Sequence, residues 1–464
     1  MSKLTRVRVT GLLDRFDHAF DIDQSWEFVI LHGPNGVGKT MLLQLCQAMM
    51  RPDHARLRSL PFRSATLAFD DGYIIEADRL PPGEEQLPDV DDGDPSRRRP
   101  KIVMRLRRSG SLVSEWSAGF KNTRSLRRYA EMIDDMVPFP RVKPTTWLDT
   151  ETGEPITIEE IASRYADVLP EELVAEISSI PDDARAFFDA QKVHLIDTER
   201  LLSVEPSNEW PSARAARSAQ NRPLSTRGDA EHRSTVVYLA DELANRIRTA
   251  LAQNSLISQE QDRTFPQRLL GAQRVAATEA EVRDRYRDQA ELRSRLSAVG
   301  LLDQTPEVAL PLEELEAWQI RVMSIYLQDS ALKLANFEEL LRKTTLLREV
   351  VNARFLNKSM RIDAERGFFF ETDRGLTLSP SQLSSGEQHE VVLLYRLLFN
   401  ARAGSIVLID EPEISLHIAW QQQVLNDLKR IAEISALQFV IATHSPHIVH
   451  HWVDRMVSLS GEAG

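Results

Sequence analysis

The chain has 464 residues, a formal net charge of −12 and one cysteine, Cys46. That length allows two or three structural units, and a lone cysteine excludes an intrachain disulfide and a thiolate metal cluster. No run approaches the ~18 apolar residues of a membrane span, and the start lacks the apolar stretch of a signal peptide, so a cytoplasmic protein with no membrane contact is expected.

The acidity is uneven. Residues 97–143 hold 13 Lys/Arg against 4 Asp/Glu, a local +9 in an acidic chain. Such an island is either a phosphate-backbone surface for DNA or, in the plainer reading, a solvated face or an interface for an acidic partner.

In chain order, residues 3–10 and 16–22 alternate apolar and polar around Gly11 and predict an antiparallel strand pair. Glu27–His32 is a short apolar run, read as a buried strand, and Lys39–Met50 is apolar at helical spacing. Further strands are predicted over 62–79 and 101–116, with a Pro-, Gly- and Asp-rich loop over Pro81–Arg99. Residues 121–190 read as mainly helical, Lys192–Asp197 as a returning strand, and 203–227 as a long Ser-, Arg-, Asn- and Pro-rich connection. From Ser234 the pattern is helical, with breaks expected at Pro266, Gly271, Gly300, Pro306 and Pro311. Leu312–Arg366 contains neither Gly nor Pro, so one helix of about 66 Å or two with an uncapped turn fit Leu312–Phe355 equally, packed as a helical subdomain rather than a free coil. A strand pair over 367–378, a helix after residue 388, strands at Ser405–Asp410, Phe439–Thr443 and Arg455–Leu459, and a helix over Leu416–Ile434 complete an alternating α/β pattern. The resulting organisation is 1–80, a first lobe; 81–190, an insert; 191–202, a returning strand; 203–233, a linker; 234–366, a helical subdomain; and 367–464, a second lobe.

Gly33-Pro-Asn-Gly-Val-Gly-Lys-Thr40 lies between the predicted strand and helix. This strand–loop–helix context sets backbone amides around phosphates at the positive end of a helix. Asn35, Gly36 and Gly38 belong to the cradle, Lys39 reaches the outer phosphates, and the Thr40 hydroxyl is a Mg2+ ligand. More than 340 residues later, Ser405-Ile-Val-Leu-Ile-Asp-Glu-Pro412 ends a strand in two carboxylates. Asp410 suits Mg2+, directly or through water, and Glu411 suits orienting or deprotonating an attacking water. His444, after the next apolar strand, is placed to sense a γ-phosphate. His444, His447, His450 and His451 cluster, and with no thiolate or acid pair nearby the structural reading outweighs a metal site.

Leu383-Ser-Ser-Gly-Glu-Gln388 resembles the signature motif of the ATP-binding-cassette (ABC) ATPases, within their soluble SMC/RecF/OLD-like branch. The resemblance rests on four motifs in order over 3–50, about 192–202 and 367–460. It implies an α/β ABC-type P-loop NTPase head with an N-terminal antiparallel β layer and a large, mainly helical insert. It also implies that Ser384, Ser385, Gly386 and Glu387 face the nucleotide held by a second protomer, so that ATP and Mg2+ are used by a homodimer or higher homo-oligomer. Glu411-Pro-Glu-Ile-Ser-Leu-His417 is similar to the same segment of OLD-like and RecF-like proteins, whereas transporter cassettes usually end it in Asp. The glutamine that cassettes carry after the returning strand has no clear counterpart; Asp197 and Glu199 are the candidates.

The whole-chain layout resembles ATPase subunits of phage-defence operons such as those of the PARIS and Septu systems. About 18 residues follow Pro446, where OLD proteins continue into a nuclease, so the resemblance implies a separate effector or nuclease acting in trans. The alternative is a RecF/SMC-like DNA repair or recombination ATPase using the 97–143 island on DNA. A transporter cassette fits the large inserts and His417 poorly.

Overall fold

The protein is described from a computed structural model over residues 2–80, 101–117, 133–134, 139–143, 146–148, 155–157, 161, 180–197, 235–271, 277–302, 309–415, 421, 423–449 and 452–459. It divides into two compact units, one of residues 1–232 with 401–464 and one of 233–400. This grouping joins 367–400, including the signature-like loop, to the inserted helices rather than to 401–464.

The first unit holds two large sheets. Strands β1 (Leu4–Leu12), β2 (Phe16–Asp21), β4 (Ser64–Phe69), β5 (Tyr73–Leu80), β6 (Lys101–Arg108) and β7 (Ser111–Ser117) form an antiparallel layer in the order β2-β1-β4-β5-β6-β7. The second sheet is wholly parallel: β11 (Val193–Asp197), β15 (Ile406–Asp410), β16 (Gln438–Thr443), β3 (Phe28–His32) and β17 (Met456–Ser458), in that order. The central strands Phe-Val-Ile-Leu, Ile-Val-Leu-Ile and Phe-Val-Ile-Ala are fully buried, as continuous apolar runs with both faces covered should be. Helix α1 (Lys39–Met50) touches strands of both sheets and buries Leu42, Leu43, Leu45, Cys46, Met49 and Met50 in their shared core. A helix apolar on nearly every side has no other stable place.

Residues 121–190, read as mainly helical, hold strands as well as helix among their described residues. Strands β8 (Arg141–Lys143), β9 (Thr146–Leu148) and β10 (Pro155–Thr157) form a small antiparallel sheet, and helix α3 covers only Asp182–Ala190. Buried Trp147 anchors the sheet, its indole N–H donating to the Asp134 carboxylate at 2.7 Å; an aromatic flanked by Thr and Leu suits a half-buried strand. Within the basic island, Arg105 is paired with Asp78 and Glu115, and Arg107 with Glu76, across strands β5 to β7. These cations form a cross-strand charge ladder. Residues 97–100, 118–132 and 135–138 of the island lie outside the described residues, as do 81–99, 203–227, Pro306, His417, His450 and His451.

In the second unit, helix α4 (Thr235–Gly271) runs through Pro266, where a break was expected. Proline removes one backbone hydrogen bond, to the Asp262 carbonyl. The neighbouring Gln261 carbonyl accepts from Arg268 Nη2 at 2.8 Å, and the same guanidinium clasps buried Asp329, so a bond within the helix and a tertiary ion pair carry it across the gap. The Gly- and Pro-free stretch is two helices, α6 (Ala317–Ala335) and α7 (Glu338–Asn352), followed by a strand, β12 (Lys358–Asp363), that the helical reading of 234–366 did not anticipate. Period-two burial explains it: Met360 and Ile362 are buried and Arg361 is exposed. Buried Phe337 ends the first helix, and Asn336 donates to the Ala250 carbonyl at 2.9 Å. Strand β12 pairs antiparallel with β13 (Gly367–Thr372), which pairs with β14 (Thr377–Leu378). The expected helix over Leu416–Ile434 is described from Val424, as α9 (Val424–Ser435), with 416–420 outside the described residues.

Gly367 marks where α4 meets this sheet. Its φ is +70°, and a Cβ there would overlap the Ala240 carbonyl oxygen. Gly367→Ala combines a left-handed alanine with a backbone clash, and is expected to destabilise the second unit by about 2–5 kcal/mol. Chemical denaturation against wild type measures this; an unchanged midpoint would refute it.

Candidate functional site

Strands β3, β16 and β15 are adjacent and end together, with Thr443 opposite His32 and Asp410 opposite Ala442. The chain therefore leaves the sheet at one carboxyl edge three times: into the glycine loop, into Asp410-Glu411, and into His444. In open parallel sheets this edge is where ligands bind.

The glycine loop is a built cradle. Gly36 and Gly38 both have φ +88°, and a Cβ on Gly38 would lie 2.9 Å from Leu12 Cδ2. Gly38 caps α1 without any side-chain hydrogen bond, so the first-turn amides of a 12-residue helix have no capping side chain. Asn35 and Gly36 are exposed, whereas Lys39 is buried and donates to the Gly33 and Pro34 carbonyls at 2.9 and 3.1 Å. Among the described residues no carboxylate pairs with Lys39, so the ammonium and helix terminus together lack a counter-anion, which phosphates would supply. His32 abuts this loop. Burial, then the Lys39 charge, lowers its pKa, which keeps the imidazole neutral, and its Nδ1 is buried without a hydrogen-bond partner among the described residues.

Asp410 ends β15, and exposed Thr40 lies in the first turn of α1. A carboxylate and a hydroxyl are the hard oxygen donors that suit Mg2+. Asp197 is the register partner of Asp410 across β11 and β15; Glu199 lies outside the described residues. Glu411 takes a left-handed backbone, φ +44°, its N–H bonded to the Ala442 carbonyl at 2.9 Å. That conformation costs a non-glycine residue about 1–2 kcal/mol. It turns the chain so that Glu411 Oε1 lies 3.5 Å from His444 Nδ1. Glu413, which the sequence reading passed over, lies closer still, with Oε1 3.1 Å from the same nitrogen. The available signal was the last acid of Asp-Glu-Pro-Glu.

The signature-like loop is organised within its own unit. Ser384 caps helix α8 (Ser385–Tyr395), and Ser384 and Glu387 form a reciprocal capping box, with Ser384 N to Glu387 Oε2 at 2.9 Å. Lys358 binds the same carboxylate at 2.8 Å. Burial alone would raise the Glu387 pKa, but the hydrogen bonds from Lys358 and Ser384 prevail and hold it below its ordinary value. Glu387 thus engages its own loop, while Ser384, Ser385 and Gly386 are exposed. Behind them Glu390 pairs with Arg354 at 3.0 Å; burial outweighs this partner and pushes Glu390 up to about 7. A carboxyl with a raised folded pKa contributes stability that is full below its ordinary value of 4.5 and lost as pH rises through about 7. The stability advantage of wild type over Glu390→Gln should therefore shrink across that window in paired denaturation curves; a constant gap would refute this.

Among the described residues no helix is long and apolar enough to cross a membrane.

The profile of the family described as "AAA domain, putative AbiEii toxin, Type IV TA system" matches residues 228–450. The "Retron Ec83 probable ATPase" of Escherichia coli is 34% identical over 86 residues, 16% of this chain and 16% of that protein. An uncharacterized ABC transporter ATP-binding protein of Mycobacterium tuberculosis (strain ATCC 25618 / H37Rv) is 33% identical over 112 residues, 24% of this chain and 39% of that one. The matched region thus spans well under half the length of either relative. Among solved structures, the Smc head domain from Pyrococcus furiosus, bound to the C-terminal domain of ScpA, aligns over 100% of this chain and 95% of that chain, at 13% identity and a TM-score of 0.36. The phosphate cradle, the acid pair and histidine at its sheet edge, the capped signature loop and the matched AAA domain make this chain similar to the ABC-type AAA ATPases.

Proposed function

We propose that the chain is the ATP-hydrolysing sensor or scaffold subunit of an anti-phage defence system, working as a nucleotide-dependent homodimer that controls a separate effector or nuclease. The observation that carries the ATP-dependent part is the shared carboxyl edge of β3, β15 and β16. There Lys39 and the uncapped amides of α1 hold phosphates, Glu411 takes the proton of the attacking water, and His444 orients the reacting end. Thr40 and Asp410 hold Mg2+, which when bound supplies charge neutralisation at the phosphate oxygens. Ser384, Ser385 and Gly386 face outward from the other unit, as a contact to a second protomer's nucleotide requires. Glu387 acts on that contact through Ser384, because its carboxylate is bound to the loop and to Lys358.

The defence assignment is supported by the layout of the chain, by a relative named as a retron probable ATPase, and by a family description that reads "putative AbiEii toxin, Type IV TA system". The DNA-clamp reading is the weaker one, since Arg105 and Arg107 of the basic island are paired with carboxylates. Co-expression with the neighbouring gene tests the proposal. Retention of that product on the purified protein, with release on a change of nucleotide, is the expected result. Salt-sensitive, ATP-dependent DNA binding with no retained protein would overturn it.

A further inference from the structure

We propose that Glu413 is a positioning residue of the ATPase site, holding His444 through both its backbone and its ring, so that the two acids of Glu411-Pro-Glu413 divide into a base and a clamp. This rests on the reading of Glu411 and His444 given above. The clamp itself is geometric. Glu413 is buried, and its Oε1 accepts from Thr443 Oγ1 at 2.7 Å, from the His444 N–H at 2.9 Å and from the Ser445 N–H at 3.2 Å. These donors are the successive groups of the turn by which β16 becomes the histidine loop. The same oxygen lies 3.1 Å from His444 Nδ1.

One carboxylate oxygen therefore fixes the path of the turn and one edge of the ring. A proton on Nδ1 is drawn to Glu413, and Nε2, on the far edge, is left for the reacting group; which nitrogen of a histidine is engaged decides what the other can do. Glu411, 3.5 Å from Nδ1, is the looser neighbour of the ring. The segment is braced from behind, where Gln421 donates to the Glu413 carbonyl at 3.2 Å and Ser445 Oγ bonds Gln421 Oε1 at 3.3 Å. The left-handed Glu411 is what turns the chain to bring Glu413 under His444, which gives that local strain a purpose.

The experiment measures steady-state ATP hydrolysis of the full chain carrying Glu413→Gln, Glu413→Asp, His444→Ala, Glu411→Gln, and Glu413→Gln with His444→Ala. Binding of a fluorescent ATP analogue and thermal unfolding are recorded for each. Gln keeps the shape but removes the charge that orients the ring; Asp keeps the charge but withdraws it by one methylene, and serves if the Gln protein does not fold. We expect Glu413→Gln to lower kcat about 10- to 100-fold, with KM for ATP and the unfolding temperature nearly unchanged. The double variant should be no slower than His444→Ala alone, because both changes remove one function. If Glu413→Gln keeps most of its turnover, or if its loss multiplies with that of His444→Ala, the clamp is wrong. If instead Glu411→Gln and His444→Ala both hydrolyse ATP like wild type, the underlying site reading fails, an outcome distinct from failure of the clamp alone.

Discussion

Glu411→Gln is expected to bind ATP at wild-type affinity and hydrolyse it about 10²- to 10⁴-fold more slowly, the range a positioned general base contributes. The substitution removes the proton acceptor but changes neither volume nor the cradle, since Lys39 and the α1 terminus stand on a different strand end. If the signature loop of one protomer contacts the nucleotide of another, blocked hydrolysis should accumulate the closed species. Light scattering should then report a dimer with ATP that disperses with ADP. Unchanged turnover would remove Glu411 from the base role. Slow turnover without a nucleotide-dependent mass would leave the base intact and remove the composite site.

Lys39→Ala is expected to act earlier, on binding itself. The ammonium is buried and bonded only to the Gly33 and Pro34 carbonyls among the described residues, so it is held at the loop without a counter-charge. A charge-assisted bond to phosphate contributes about 1.5–3 kcal/mol, which corresponds to roughly a 10- to 100-fold weaker affinity on its removal. Fluorescent-nucleotide titration measures this directly. Wild-type affinity would show that the cradle amides suffice and that Lys39 matters only during turnover.

Much of the site was legible because its parts are local. A strand, a glycine loop and a helix must be contiguous to cradle phosphate, so Gly33–Thr40 announces itself in one stretch of sequence. The acid pair reads equally well, since four apolar residues ahead of Asp410-Glu411 leave few alternatives to a buried strand. What stayed hidden depends on contacts across the chain. Glu413 looks like a turn acid until the β15–β16 pairing brings Thr443 to Ser445 over it, 30 residues later. Pro266 looks like a helix end until Arg268 and Asp329, 61 residues apart, secure the segment around it. Strand β12 was lost because absence of Gly and Pro permits a helix but does not require one, and its alternation spans only a few residues. The exposure of Ser384 to Gly386 had no signal beyond motif likeness.

The capping box and Lys358 give the signature loop a property that reaches beyond its local stability. Among the described residues, Lys358, Ser384, Glu387 and Gln388 hold the loop through bonds within its own unit. Such a surface is preorganised. A second protomer arriving with ATP would meet a rigid reader, and little binding energy would be diverted into ordering it. Discrimination between ATP and ADP would then rest on whether the outermost phosphate is present to touch, giving an all-or-none response instead of a graded one.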